Sequence, residues 1–376
     1  MRACVITLSA LFAAVLALEA AESKELKKAS LAATEQLFAN PKVLEISVEV
    51  PQAQLDALKR EPRVYVKATV KEGTNVLANT GFRFKGTNMT SKIARPDFTL
   101  KFNEFITDQR LQGQRKLGFE SSRNDPTYVG EAVANELFRS AGIPASRNTF
   151  ALVKLNGKDV GLYVVSEGVN KDFLDRHFDK SKGNLYEGDG TDITDKLDKD
   201  SGDGSGQADV KALAEAARES NLEQRWKKLQ TLLDVDRFLS FVGVEVITGH
   251  TNGYAMGKAR YRIYHDPTND KMIFMPHGIE AVFGRSDTPI TPEFKGVLAR
   301  AVLETPEGKK RYRAELNRLL TKAFRLDVTQ SRIKELAGKV KPALKEGAEN
   351  YDKAVNDLLE RVAARHKFLE QQLKQS

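Results

Sequence analysis

The chain has 376 residues, 41% of them apolar and 29% charged, with a formal net charge of +8 at pH 7. That balance carries a sizeable core and excludes a disordered or collagen-like chain. The positive excess suits an acidic partner, a phosphorylated ligand or an anionic surface, and a single cysteine, Cys4, excludes a disulfide framework and a thiolate metal site.

Met1 and Arg2 precede an apolar run from Ala3 to Leu18, with Ala20 and Ala21 after it. A basic start, an apolar segment shorter than the ~20 residues of a span and small residues at its end predict a secretory signal peptide over 1–21. No later stretch is long and apolar enough to cross a membrane. Residues 22–43 read as a leader, loose or helical. From Leu44 to Val50 apolar and polar residues alternate, predicting a half-buried strand, and Pro51 opens a short helix to Arg60.

Alternation returns at Val64–Val70, Gly81–Lys85 and Phe98–Phe102, which together predict a mostly antiparallel sheet. Phe82, Phe84, Phe98, Leu100 and Phe102 would face its core. Arg83, Lys85, Thr99 and Lys101 fall on the other side, a basic face suited either to phosphates or simply to solvent. The loop over 86–96 has one glycine, whereas a loop that cradles phosphate on its backbone amides usually has several. Asp125-Pro126 predicts a helix start, with the helix running to Gly142. Asn156-Gly157 between Phe150–Leu155 and Val160–Val165 predicts a type I′ hairpin, with Glu167 at its exit facing a ligand or water.

Residues 188–209 are rich in aspartate and glycine and predict a flexible acidic loop, with calcium as the alternative. The EF-hand spacing fails, because Gly202 and Asp203 stand fifth and sixth from Asp198. Helices are predicted over 209–219 and 222–249. The second holds Glu245 in an apolar environment, where a charge must be paired, protonated or functional. Residues 246–284 gather His250, His265 and His277 around a hairpin, Arg260–Tyr264 with Met272–Met275. Beyond 291 the chain reads as amphipathic helices broken at Pro306 and Pro342. Conventional signatures are missing: no G-x-S-x-G elbow, no His-Arg-Asp or Asp-Phe-Gly, no His-Glu-x-x-His. A zinc site from His250, Asn252, His277 and Glu280 would join histidines far apart in sequence.

Several segments together resemble the CotH kinase family. They are Phe82-Arg83-Phe84-Lys85-Gly86, Arg95-Pro96, Thr99 to Phe102, Lys116-Leu117, Asp125-Pro126, Glu131, Leu137-Phe138-Arg139, Gly142, Leu155-Asn156-Gly157, Gly161-Leu162-Tyr163, Glu167, Gly183 to Tyr186, Asp236-Arg237-Phe238, His250, Gly253-Tyr254, Tyr261 to Tyr264, Asp266-Pro267 and Pro276-His277-Gly278. The resemblance implies an α+β, kinase-like fold with an antiparallel sheet over 44–290 and a helical C-terminal layer over 291–376. It further implies ATP and Mg2+ as cofactors and an extracytoplasmic protein as substrate or partner, for which the net positive charge suits an acidic one. With an export signal and no nucleic-acid-binding motif, nucleic acid is not an expected partner.

By the same resemblance Lys85 and Lys101 are the phosphate clamp, Glu167 lies near the nucleotide, Arg260 borders the site and Glu280 is the metal ligand. The departures weigh against activity. Asn252 stands where the family has a catalytic aspartate, Ala259-Arg260 replaces Asn-Asn, and the metal segment is His277-Gly278-Ile279-Glu280. An amide accepts no proton, so the sequence implies a degenerate kinase that binds a nucleotide or a partner. An active ATP-dependent serine kinase and a non-catalytic envelope or surface protein are the alternatives.

Overall fold

The computed structural model describes residues 25, 28–86, 95–203, 206–279, 281–344 and 348–375. The apolar N-terminal run, most of the loop after Gly86 and Glu280 lie outside the described residues. After a first helix, α1 over 28–39, the strands β1 (Val43–Glu49), β2 (Val66–Glu72), β3 (Asn75–Phe84), β4 (Phe98–Lys101), β5 (Lys116–Glu120), β6 (Asn148–Leu155) and β7 (Lys158–Glu167) form a closed barrel in the order β1-β2-β3-β4-β5-β7-β6. Alternation explains the interior: Phe82, Leu100, Leu117, Tyr163 and Val165 are all fully buried, and Phe98 stacks between Phe82 at 5.3 Å and Phe119 at 4.6 Å. The expected antiparallel sheet is there, but its closure is a parallel pairing of β1 with β6. That contact joins residues about a hundred positions apart, which no local pattern reveals.

The Asn156-Gly157 turn has both residues at positive φ, 48° and 75°, as a type I′ turn requires. The helix expected from Asp125 begins later, as α3 (Gly130–Ser140). Asp125 instead accepts from the backbone amides of Thr127 and Gly130, at 2.9 and 2.8 Å. Its carboxylate folds the chain into a turn, with Tyr128 at φ 59°, before the helix starts.

A second sheet has the order β11-β10-β8-β9, built from β8 (Leu185–Gly188), β9 (Asp198–Ser201), β10 (Tyr261–Asp266) and β11 (Lys271–Pro276). The acidic stretch predicted to be a flexible loop therefore contains a paired strand. Its carboxylates are also used: Asp192 is buried and accepts from the Tyr254 hydroxyl at 3.0 Å and the Val297 amide at 2.9 Å. Asp209 accepts from Asn184 and Tyr186 and pairs with His265 at 3.0 Å.

Helix α4 (Lys171–His177) leaves the barrel, and α5 (Ala208–Ala217), α6 (Leu222–Leu232) and α7 (Val235–Thr248) follow. The single helix expected over 222–249 is thus two. Leu233 breaks out to bridge Met272, and Asp234 caps α7 by accepting from the Arg237 amide at 3.1 Å. Helix α7 is buried along almost its whole length. A one-turn helix, α8 (Tyr254–Gly257), comes next, and the C-terminal layer is α9 (Val297–Glu304), α10 (Pro306–Lys322), α11 (Leu326–Val340) and α12 (Ala348–Gln375), interrupted at both expected prolines. Helix α10 packs directly on α7 at Gly243, where an added Cβ would come within 2.6 Å of Leu319.

Candidate functional site

The register of β3, β4, β5 and β7 places Arg83 opposite Thr99, Thr99 opposite Gly118, Gly118 opposite Ser166 and Lys101 opposite Lys116. These residues, with Lys85 and Glu120, share the face of the barrel wall turned away from its core. Lys85 forms an ion pair with Glu120, and its ammonium lies across Gly118, where a Cβ would sit 2.8 Å from Nζ. Burial works against the charge on Lys85, but Glu120 outweighs it and holds the ammonium above the ordinary lysine pKa.

Behind this pair stands Glu131, from the first turn of α3, accepting from Ser166 Oγ at 2.6 Å and Asn148 Nδ2 at 3.1 Å. Burial, then the neighbouring Glu120, raises its carboxyl to about 7. A carboxyl raised on folding favours the folded state while protonated. Its contribution is complete below the ordinary value of 4.5 and is lost as pH rises through about 7. Replacing Glu131 with Gln should therefore flatten the fall in urea midpoint between pH 4.5 and 7.5; an unchanged slope would mean another group sets it.

The second sheet supplies the facing wall. Arg262, only 4% exposed, ion-pairs with Glu187 and with Asp200. Glu187 also lies 3.3 Å from His277 Nε2. Burial opposes the charge on Glu187, yet Arg262 and His277 hold its carboxyl far below the ordinary range. Groups on the two walls act on each other. Lys116 on the barrel is lowered to about 8 by burial and by Arg262, and His277 is lowered by burial, Arg262 and, more weakly, Lys85. Lys85, Lys116, Glu187, Arg262 and His277 are therefore neighbours where the second sheet meets the barrel wall.

At the end of α7, Gly249 takes φ 64° and the chain turns sharply through His250 to Gly253. Glu245 secures that turn. Its carboxylate accepts from the amides of Tyr254 and Ala255, both at 2.8 Å, which caps α8. Burial raises the Glu245 carboxyl to about 8, against those two hydrogen bonds. His250 is 1% exposed with no hydrogen-bond partner on either ring nitrogen among the described residues, and burial together with Arg260 lowers it to about 4, so its ring is neutral. Asn252 is exposed at the tip of the turn.

Arg260 sits just before β10 at φ 52°, its carbonyl accepting from the His277 amide at 2.9 Å and its Nε 3.8 Å from Asp189. Gly278 is beside it: a Cβ there would lie 3.2 Å from the guanidinium. Hairpin pairing thus brings Arg260, His277 and Gly278 together, with the Asn252 turn adjoining through His250. The other two expected residues stand apart. Glu167 is buried and clamped by Arg147 (2.9 Å) and Arg176, which hold its carboxyl below the ordinary range despite burial. Lys101 lies at the outer end of the basic face, paired with Glu104 at 2.6 Å and packed over Tyr65.

Four residues of this site, Lys116, Glu131, Glu187 and Arg262, were given no role from the sequence, although all but Glu187 lie in segments that carry the resemblance. One signal was available for Arg262, a lone charge in the apolar run Tyr-Arg-Ile-Tyr.

The sequence model of the family described as CotH kinase protein matches residues 82–371, and the chain belongs to that family. Among its relatives are the invasin CotH2 of Rhizopus delemar, 23% identical over 72% of this chain and 51% of that protein, and the inner spore coat protein H of Bacillus subtilis, 20% identical over 72% of this chain and 81% of that protein. The chain thus spans about half the length of the Rhizopus invasin. Among solved structures, the Helicobacter pylori proinflammatory kinase CtkA aligns with a TM-score of 0.36 at 10% identity, over 77% of this chain and 96% of its own. The family and the α+β class read from the sequence both hold. No helix among the described residues is long and apolar enough to cross a membrane.

Proposed function

We propose that this CotH-family protein binds a nucleoside triphosphate in the cleft between barrel and second sheet and transfers its phosphoryl group poorly. The observation that carries the reading is the pairing of an intact cationic wall with an amide at the base position. Lys85 is fixed by Glu120 against Gly118, and Asn252 occupies the exposed turn after His250.

The donor set fits phosphate: Lys85, Arg83 and Lys116 stand on one wall and Arg262 on the other. Bound ATP would supply the transferable γ-phosphoryl group. Lys85 would bind phosphate oxygens without moving, because Glu120 already holds it. Asn252 would orient a hydroxyl by hydrogen bonding but would accept no proton from it. The metal is a different matter. Among the described residues no group of three or more His, Asp or Glu side chains is placed to hold an ion, and Glu280 lies outside them, so the described residues do not by themselves form a magnesium site.

Glu167 would meet a nucleotide through its backbone at the strand exit, since its carboxylate is already saturated by arginine. Export of the chain, and an extracytoplasmic protein partner, are part of the same reading. The N-terminal apolar run and the spore-coat and invasin names of the relatives support it. Calorimetric titration with ATP and magnesium tests the binding half: saturable binding by the parent and by Asn252→Asp is expected. Absence of binding to both would leave a non-catalytic surface protein.

A further inference from the structure

Strand β9 lies at the edge of the second sheet, paired among the described residues with β8 alone. It is tied at both ends. Gln207 bonds both the amide and the carbonyl of Leu197, and Gly202, at φ 105°, fits against Asn184 where a Cβ would come within 2.3 Å. Between those ties Asp198, Asp200 and Ser201 are exposed. One carboxylate reaches the barrel side and another pairs within the second sheet. Asp198 pairs with Arg63 Nη1 at 3.1 Å, and the Arg63 carbonyl accepts from Arg83 at 3.2 Å, so β9 is coupled to the barrel wall. Asp200 pairs with Arg262 and lies close enough to Tyr65 and Lys116 to act on both, while Arg83 stacks over Tyr65 at 4.8 Å.

Arg83, Lys116 and Arg262 therefore form a group of three cations from two walls, and the anions among them come from the chain itself, Glu187 and Asp200. Glu187 is half-buried and held by two partners, Arg262 and His277. Asp200 belongs to the exposed strand, whose link to the barrel is the solvent-exposed Arg63–Asp198 pair, a contact of small net worth.

We propose that β9 is an acidic strap over a polyphosphate site made by Arg83, Lys116 and Arg262, with Asp200 holding the site until a polyphosphate displaces it. The proposal rests on the nucleotide reading for the adjoining Lys85, but its ligand chemistry is the phosphate chain, whether carried by a nucleoside triphosphate or free as tripolyphosphate. A chain with several charges meets all three cations at once, whereas Asp200 offers one. Removal of a competing carboxylate then strengthens binding.

Titration calorimetry of the parent, Asp200→Asn and Arg63→Ala with ATP and with inorganic tripolyphosphate tests this. Neither change removes core packing. Asp200→Asn should tighten binding at least about fivefold and Arg63→Ala about twofold, and hydrogen exchange at residues 198–203 of the parent should speed up on ligand addition. ATP binding with equal affinity in all three proteins would overturn the strap and leave the nucleotide reading standing. Tripolyphosphate binding that tightens in Asp200→Asn, with no ATP binding, would support the strap and remove the nucleotide reading. Binding of neither ligand by any of the three would overturn both.

Discussion

Replacing Arg365 with methionine should cost about 3–4 kcal/mol of stability and lower the melting temperature by at least ~5 °C. Arg365 is 1% exposed on α12 and donates to the carbonyls of Val246 (2.7 Å), Ile247 (3.1 Å), Ser286 (3.1 Å) and Thr288. The first two are end-of-helix carbonyls of α7, and that of Val246 accepts in addition from the Gly249 amide at 3.1 Å. Methionine fills similar space and donates nothing, so buried acceptors lose a charged donor. Burial lowers the guanidinium only to about 10, so it remains charged at neutral pH. Lysine, with its single ammonium in place of a planar fork, should recover only part of the loss. Urea unfolding measures the change. Hydrogen exchange should locate it at 246–252, where α7 gives way to the Asn252 turn; a loss below 1 kcal/mol would show that water replaces the arginine.

Lys85→Met should have the second large effect, on both stability and ligand affinity. Glu120 is buried and loses its ion pair, at a cost of about 3 kcal/mol near pH 8. Glu131, already raised to about 7 with Lys85 present, loses a cation that favours its ionised form and rises further. A carboxyl raised on folding stabilises the fold below its unfolded pKa and ceases to do so as pH climbs through the folded value. The deficit of Lys85→Met relative to the parent should therefore grow between pH 5 and pH 8. ATP affinity should fall at least about tenfold, the equivalent of one charge-assisted contact. A deficit independent of pH would contradict the Lys85–Glu120–Glu131 arrangement.

Local patterns carried much of this fold. Alternation placed Phe82, Phe98 and Leu100 inside the barrel and Arg83, Lys85 and Lys101 on its other face, and Asn156-Gly157 marked its turn. What alternation lacks is any record of which distant strands meet, so the β1–β6 closure was not legible. The break at Leu233 was hidden for a related reason: a tertiary bridge to Met272 overrides helical propensity there. Composition misjudged residues 188–209, because aspartates that look solvent-bound in sequence find partners such as Tyr254, His265 and Arg262 only after folding.

The candidate site divides the same way. Arg260 and His277 come together because a hairpin joins them, a local event. Glu167 is taken up by Arg147 and Arg176, which approach it from the position just before β6 and from the helix that follows, and no spacing rule pairs them. Glu245 was conspicuous as a charge in an apolar helix, and its role as cap of the Asn252 turn required the structure to read.

The central claim, a nucleotide-binding cleft whose base position is an amide, is tested most directly by phosphoryl transfer from radiolabelled ATP under single-turnover conditions with magnesium or manganese. The parent should transfer or hydrolyse at least ~100-fold more slowly than Asn252→Asp, the span a positioned general base ordinarily supplies, while the two bind ATP alike. A parent that transfers as fast as Asn252→Asp would contradict it.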